Sequence, residues 1–462
     1  MDTASSLQTA EAMRGGNIDE TASVQTQTQT RTEADNTAGE STAKVGFNIL
    51  NTIIGSGIVC LPYALHNAGF FFGVIMLAFI ALLSQFSLYA LVVSGKRTGT
   101  AHFSSVTQAS LGQTGYHLLN VSMVIDMVGT VILYLMLIGD LFTSLSDIYL
   151  PMALSRWSII IIVSLVCVLP LLFFRNTGPL ANFSILSVLC LPYIILVVAI
   201  RAPLYADSAH VEFSFFGPRV LPAMGVLAFT YSSCHAAFPN FLGLKDRLVR
   251  SWVRASSSAS AGAGLISTAF AITGYLSFGG KADANILNNF PLSDNYINLG
   301  RLLFAATLIL TVPMAFYPIR DTITEMLRID PERHITSRVP ESICTILVFV
   351  SCALAAAACT DLGLAYEIIG ALSSSVVNFF LPSLIYLWAG TDVSLKAIVR
   401  GYWLSEDPLD INPQDTLPLL LRHRTKTVFS VRQIGLWLMA WTVAGFGVWV
   451  MVLGTYNIGR GL

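Results

Sequence analysis

The stretch that decides the fold is NTIIGSGIVCLPYAL, residues 51–65, which is apolar except where two glycines flank a serine. Gly55 and Gly57 each weaken a helix by about 1 kcal/mol. Pro62 removes the amide that would bond back to Ile58. Backbone groups freed within lipid must find partners inside the protein. The stretch therefore predicts either a tolerated kink in a membrane helix or a helix unwound to hold a ligand.

The composition is that of an integral membrane protein. Of 462 residues, 54% are hydrophobic and only 11% are charged, whereas a soluble domain carries about 25% charge. The net charge of -1 predicts no nucleic-acid partner. The seven cysteines lie in apolar stretches without metal-binding spacing. No hydrolase or complete phosphate-loop motif is present, so we expect no enzyme.

Eleven segments are long and apolar enough to cross a membrane, since a span needs about 20 residues. They are residues 45–68, 70–94, 117–146, 154–174, 177–200, 219–243, 255–278, 295–318, 340–359, 362–389 and 431–455. If the amino terminus is cytoplasmic, 20 of the Lys and Arg residues lie inside and six lie outside. Because positive residues collect in cytoplasmic loops, this bias supports both the count and the orientation.

The sixth segment repeats the feature that interrupts the first. It contains FTYSSCHAAFPNFL, residues 229–242, in which Ser233 lies six residues before Pro239, as Ser56 lies six before Pro62. Five spans separate the two starts, so the second copy is inverted in the membrane. Paired breaks of this kind predict a transporter site between inverted repeats. The amino-terminal ends of half-helices suit a carboxylate, and freed carbonyls suit a small cation.

The chain also resembles a known family at these residues and at others in the same order. It is similar to the amino acid/auxin permease superfamily, in particular to its sodium-coupled neutral amino acid transporter branch and the related vacuolar amino acid transporters. The matching pieces are NTIIGSGIVCLPYAL, YLMLIGD (134–140), CH (234–235), GYLSFGGKADANIL (274–287), LTVPMAFYPIRD (310–321) and IIGALSSSVVNFFLPSLIYL (368–387).

The resemblance implies an all-α membrane fold of the leucine-transporter (LeuT) type, with two inverted repeats of five helices and an eleventh helix. The implied divisions are a disordered cytoplasmic tail (1–43), the first repeat (44–200), an external loop (201–218), the second repeat (219–389), a cytoplasmic linker (390–430) and the last span with a short external tail (431–462). Low hydrophobicity of the tail supports its disorder.

The implied function is secondary active transport of neutral amino acids, coupled to sodium, by alternating access. Substrate binding is implied for Gly55, Ser56, Gly57, Tyr134, Ser232, Ser233, Cys234 and His235, and sodium binding for Asn51, Ile53, Thr307 and Thr311. Neutral oxygens suit such a hard cation. The Thr311 hydroxyl could instead bond back to its own helix. We expect no cofactor besides the coupling ion and no obligate protein partner. The alternatives are a proton-coupled vacuolar or lysosomal transporter and an amino acid sensor that uses the same site.

Two features depart from the family pattern. Asp126 lies at mid-depth of the third span, where an ionisable residue is a functional candidate by default. It predicts either proton coupling or a structural carboxylate that faces the cytoplasmic vestibule or pairs with a neighbouring helix, and the structural carboxylate is the favoured interpretation. The short loop 201–218 has no glycosylation sequon, which leaves open the plasma membrane and the vacuole, lysosome or endosome. Asp140 and Glu367, near outer helix ends, are expected to be solvated or gate-like.

Overall fold

A computed structural model describes residues 39–149, 154–173, 190–206, 211–326, 338–389 and 431–457. Within these ranges the regular secondary structure is helical, apart from a single isolated β-bridge between Glu40 and Leu244. The predictions for most of the tail (1–43) and for the linker (390–430) fall outside the described residues.

We number the helices in chain order and call the ends of the bundle inner and outer according to the predicted topology. The helices are α1 (Thr42–Ile54), α2 (Leu61–Ala68), α3 (Phe70–Thr98), α4 (Phe103–Tyr149), α5 (Arg156–Leu172), α6 (Cys190–Tyr205), α7 (Val220–Thr230), α8 (Ala237–Gly243), α9 (Val249–Phe278), α10 (Asn295–Met326), α11 (Arg338–Ala358), α12 (Leu362–Trp388) and α13 (Val431–Trp449).

The helices match the predicted spans in position. Among the described residues, seven helical segments are long and apolar enough to cross a membrane, and the bent pair around residue 55 makes an eighth. Three shorter apolar helices, Arg156–Leu172, Cys190–Tyr205 and Ser342–Ala358, lie where the fourth, fifth and ninth spans are predicted. The third span begins earlier than its predicted start at residue 117, because α4 begins at Phe103 and bends at Gly112, where φ is 70°.

The first span is broken where its sequence predicts. Helix α1 starts at Thr42, capped by the Ser41 side chain, and ends at Gly55, whose φ of 33° is costly for any residue with a Cβ. A 3₁₀ turn, Ser56–Cys60, follows, and α2 continues at an angle of 41° to α1. The GSG stretch is therefore a break in the helix and not a packing seam alone.

The sixth span is broken at the matching place. Helix α7 ends at Thr230, Tyr231 to Ser233 leave the helical path, and the 3₁₀ turn Cys234–Ala236 leads into α8. Helix α7 packs closely against α12, because Gly225 faces Gly370 and leaves no room for a Cβ. At this contact α12 widens into two π-helical turns, Gly370–Ser374 and Val376–Phe380.

Helix α4, the third span, lies at the centre of the bundle and packs along α10 and α12. Helix α9 supports α1 and α3 from the other side. The buried apolar side chains form one continuous core over the described residues. Both broken spans thus pack against long helices.

Candidate functional site

The two breaks meet inside the bundle. A Cβ placed on Gly57 would lie 2.9 Å from Thr230 Oγ1 and 3.0 Å from Thr230 Cα, so the glycine lets the first break approach the end of α7. The Tyr366 hydroxyl donates to the Ser56 carbonyl over 3.3 Å. Tyr134 reaches the Ser56 side chain from α4. The predicted residues of the first span and Tyr134 therefore share one location with Tyr366, which the sequence analysis did not single out.

The first break has amides available for a ligand. The Gly55 N–H donates to the Asn51 carbonyl, 3.1 Å away. The 3₁₀ turn that follows has no side-chain cap. Its first amides have no acceptor within the turn, as at any helix start. Ser56 and Gly57 are both buried, so these donors point into the protein interior and not into lipid or bulk water.

The second break is capped by a residue that the sequence analysis missed. Asn378 Oδ1 accepts from the amides of Ser233 and Cys234, each over 3.0 Å. Its Nδ2 donates to Ser232 Oγ over 2.8 Å and to the Ser374 carbonyl over 3.0 Å. Asn378 therefore occupies two amides of this break that the sequence predicted to be available to a ligand. An Asn among the apolar residues of IIGALSSSVVNFFLPSLIYL was the available signal.

Asp126 belongs to the same cluster. Its carboxylate is only 1% exposed and accepts hydrogen bonds from Ser374 over 2.5 Å, Ser373 over 2.9 Å and Ser232 over 3.5 Å. Ser373 and Ser374 lie in the first π-helical turn of α12, and Ser232 lies in the second break. Asp126 therefore pairs with neighbouring helices, one of the two placements expected for a structural carboxylate, and does not face a vestibule. Its role in coupling stays a prediction.

The remaining residues of the second break are packed rather than open. Cys234 is buried and directs its thiol to the Asn378 carbonyl at 3.5 Å. The Ser233 hydroxyl lies 3.5 Å from that of Ser84. His235 is half-buried, and its Nδ1 has no hydrogen-bond partner among the described residues. The role of His235 stays a prediction.

The four residues of the predicted sodium site lie on two separate helices. On α10 the Thr311 hydroxyl donates to the Thr307 carbonyl over 2.7 Å, which is the alternative that the sequence left open. The Thr307 hydroxyl is buried and unpaired among the described residues. On α1, Ile53 is buried and Asn51 is half-buried. Among the described residues, no hydrogen bond joins the α1 pair to the α10 pair, so the sodium site stays a prediction.

An ion pair closes the outer side above the first break. Arg219 Nη2 donates to Glu367 Oε2 over 2.8 Å, and the Tyr63 hydroxyl donates to Glu367 Oε1 over 3.2 Å. The Glu367 side chain is fully buried, while that of Arg219 is 44% exposed. We call Tyr63, Arg219 and Glu367 the outer clasp. Because they come from α2, the cap of α7 and α12, the clasp ties both broken spans to the tenth span.

Two further ion pairs lie at the outer ends of helices. Asp140 pairs with Arg156 at 2.6 Å, and its gate-like role stays a prediction. Asp294, in the loop before α10, accepts from Arg201 over 2.7 Å and from Tyr205 over 2.9 Å. Burial opposes the charge of Asp294, but these hydrogen bonds outweigh it and hold the pKa of the carboxyl below its usual range.

Comparison with known proteins identifies the family of the chain. A model of the family "Transmembrane amino acid transporter protein" matches residues 38–397. The chain belongs to this family. It is therefore a multi-pass amino acid transporter and not an enzyme, as its composition and motifs predict.

Relatives carry both names that the resemblance suggested. The chain is 28% identical over 355 residues to "Putative sodium-coupled neutral amino acid transporter 11" of Mus musculus, covering 74% of this chain and 76% of the relative. It is 25% identical over 363 residues to "Vacuolar amino acid transporter 2" of Saccharomyces cerevisiae, covering 74% and 75%. It is 25% identical over 358 residues to "Vacuolar amino acid transporter 5" of Schizosaccharomyces pombe, covering 74% and 84%.

Solved structures confirm the fold. The inward-facing conformation of Mhp1 aligns with a TM-score of 0.53 at 12% identity and covers 92% of both chains. A closed conformation of Mhp1, described as a nucleobase-cation-symport-1 family transporter, also gives 0.53 at 12% identity, covering 92% of this chain and 94% of that one. At this identity the likeness shows the LeuT-type fold alone.

Proposed function

We propose that the chain transports neutral amino acids by alternating access and binds them between the breaks of the first and sixth spans. The observation that carries this proposal is the uncapped, buried 3₁₀ turn Ser56–Cys60 beside the hydroxyls of Tyr134 and Tyr366. Amides at a helix start bind a carboxylate well, because they combine free donors with the positive end of the dipole. The α-carboxylate of the substrate binds there.

The second break contributes differently. Its two leading amides are already occupied by Asn378, so it offers a second carboxylate no free donors. The side chains proposed to line the two breaks also include no Lys or Arg. An acidic side chain would therefore enter without a counter-charge, which is costly in a buried site. These features support a substrate whose side chain is not acidic.

Sodium coupling rests on the oxygens of α1 and α10. We assign the ion to the Asn51 side chain, the Ile53 carbonyl and the hydroxyls of Thr307 and Thr311. The buried, unpaired Thr307 hydroxyl supports this assignment, because an oxygen without a partner in the protein is free to bind a cation. Neutral oxygens are the ligands that a hard monovalent cation accepts.

Proton coupling is the second candidate, and one observation favours it. Asp126 is buried beside the second break, and none of the ion pairs formed by the described residues includes it. A buried carboxylate without a cationic partner is a natural place for a proton. The short loop 201–218 and the two vacuolar relatives support a vacuolar, lysosomal or endosomal membrane, which imaging of a tagged chain tests.

Equilibrium binding to the purified protein tests the proposed site. We expect scintillation proximity with labelled neutral amino acids to detect saturable binding that acidic amino acids do not displace. Substitution Gly57→Val, which fills the approach to Thr230, abolishes it. Gly445→Val is the matched control, because a Cβ at Gly445 meets no atom within 4 Å. Binding that survives Gly57→Val unchanged would refute the assigned site.

A further inference from the structure

A continuous chain of hydrogen bonds connects the second break to the Asp126 carboxylate. Asn378 Nδ2 donates to Ser232 Oγ over 2.8 Å, and Ser232 Oγ donates to Asp126 Oδ2 over 3.5 Å. At its other end, Asn378 Oδ1 holds the amides of Ser233 and Cys234. The side chain of Asn378 therefore connects the backbone of the break to the Ser232 hydroxyl, which donates to Asp126.

The two oxygens of Asp126 are not equivalent. Oδ1 lies 2.5 Å from the Ser374 hydroxyl and 2.9 Å from the Ser373 hydroxyl, whose single hydrogen is shared between Oδ1 and the Ile369 carbonyl, also 2.9 Å away. Oδ2 has only the long contact with Ser232. A carboxylate oxygen with two short donors is satisfied as an anion, whereas the under-bonded oxygen is the one that gains a hydrogen bond when it carries a proton.

We propose that Asp126 is the proton-binding site of the transport cycle, and that Ser232 and Asn378 are positioning residues that transmit its protonation to the second break. The proposal rests on the proposed transport function and deepens it, because it names how the proton alternative would act on the substrate site. It also gives a role to Asn378, which no pattern in the sequence analysis assigned.

The step is a simple proton balance. One proton from the compartment to which the site is open binds Oδ2 of the Asp126 carboxylate. The new O–H then donates to Ser232 Oγ, which already accepts from Asn378, so the Ser232 proton turns away from Asp126. Ser232 changes from donor to acceptor toward the carboxyl group, and its own O–H becomes free for the substrate. Release of the proton to the other compartment restores the original directions.

A proton fits this location better than a metal ion. Three hydroxyl groups lie within hydrogen-bond distance of the carboxylate and can supply the donors that it needs without an ion. The described residues include no group of three or more His, Cys, Asp or Glu that could hold a metal. Among the described residues, the titratable groups that interact electrostatically with Asp126 are Tyr134 on its own helix and Cys234 in the second break, and neither is a cation.

The test is the pH profile of amino acid uptake and binding by the full-length protein in proteoliposomes. Parent uptake should change by up to about tenfold per pH unit on its limiting limb, since one site binds one proton. Asp126→Asn cannot titrate, so its profile should be flat. Ser232→Ala removes the relay hydroxyl and should flatten the pH dependence of substrate binding as well.

Ser374→Ala should shift the pH profile in one defined direction, which a general loss of structure would not do. Ser374→Ala removes the shortest donor to the carboxylate, which makes protonation easier and should move the profile toward higher pH by about one unit. Ser375→Ala and Thr130→Val are matched controls. They remove buried hydroxyls that bond to the carbonyls of Ala371 and Asp126, not to the carboxylate, and their profiles should overlay the parent's.

The outcomes are separable from those of the proposed function. If the parent neither binds nor takes up any amino acid, the proposed function fails. If the parent transports but Asp126→Asn retains its pH profile, the proton site is overturned. If Asp126→Asn is flat while Ser232→Ala overlays the parent in both uptake and binding, the relay is overturned. If Ser374→Ala folds and binds substrate but its pH profile overlays the parent's, the proposal is also contradicted.

Discussion

The outer clasp should hold the substrate site shut from the outside, and its removal should open it. Arg219→Ala leaves the buried Glu367 carboxylate with only the Tyr63 hydroxyl at 3.2 Å. An unpaired buried charge is costly, but Arg219 is 44% exposed, so water replaces part of what is lost. We expect the closed state to lose about 1–2 kcal/mol relative to an open state that hydrates Glu367, which is about a 5- to 30-fold shift in population.

Cys60 reports on this shift. It is fully buried, and it lies on the first span three residues before Tyr63, on the inner side of the clasp. A membrane-impermeant maleimide added from the outer side should modify Cys60 about 5- to 30-fold faster in Arg219→Ala than in the parent, if labelling follows the open population. Mass spectrometry of the Cys60 peptide measures the rate, and a Cys60→Ser chain gives the background.

A second substitution tests whether the unpaired charge of Glu367 drives the opening. Glu367→Gln in the Arg219→Ala chain removes the stranded charge and keeps an acceptor for Tyr63, so labelling should fall back toward the parent rate. Arg247→Ala changes an exposed arginine that bonds to the Leu242 carbonyl at the inner side, and should leave labelling unchanged. Equal Cys60 labelling in the parent and in Arg219→Ala would refute the clasp.

Three further results are expected. Gly57→Ala forces Cβ to within 2.9 Å of its neighbour, so uptake should fall at least about tenfold, as measured in proteoliposomes, whereas Gly445→Ala, in open space, should transport normally. Thr311→Ala removes a proposed sodium ligand, so half-maximal uptake should require about tenfold more sodium at equal protein level, and an unchanged sodium curve would exclude Thr311. The folded pKa of Asp294 is depressed, so its stabilisation by Arg201 is present above about pH 4 and lost as the pH falls further. Thermal unfolding should therefore show Asp294→Asn below the parent at pH 7 and the two converging in acid.

Both helix breaks could be predicted because their causes are local. A glycine at Gly55 permits the φ of 33° that ends α1, and Pro62 and Pro239 mark helix starts after each break. Hydropathy located the spans for the same reason, since each span is a continuous stretch of sequence. The Asp126 position at mid-depth was equally visible.

The partners of these residues could not be predicted, because they come from distant parts of the chain. Asn378 and Ser233 are 145 residues apart in sequence and 3.0 Å apart in space. Glu367 reaches Arg219 across 148 residues. Which hydroxyls enclose Asp126 depends on the π-helical turns of α12, and no sequence pattern announces that local widening. Helix packing, not the local sequence, therefore determines whether a polar residue is free, capped or charged.

The central claim is that an amino acid crosses the membrane through a site between the two breaks. Uptake of labelled neutral amino acids into proteoliposomes, with an imposed sodium or proton gradient, tests it most directly. We expect gradient-driven accumulation by the parent, none by Gly57→Val and normal accumulation by Gly445→Val. Accumulation by Gly57→Val at the parent rate, or none by the parent under either gradient, would contradict it.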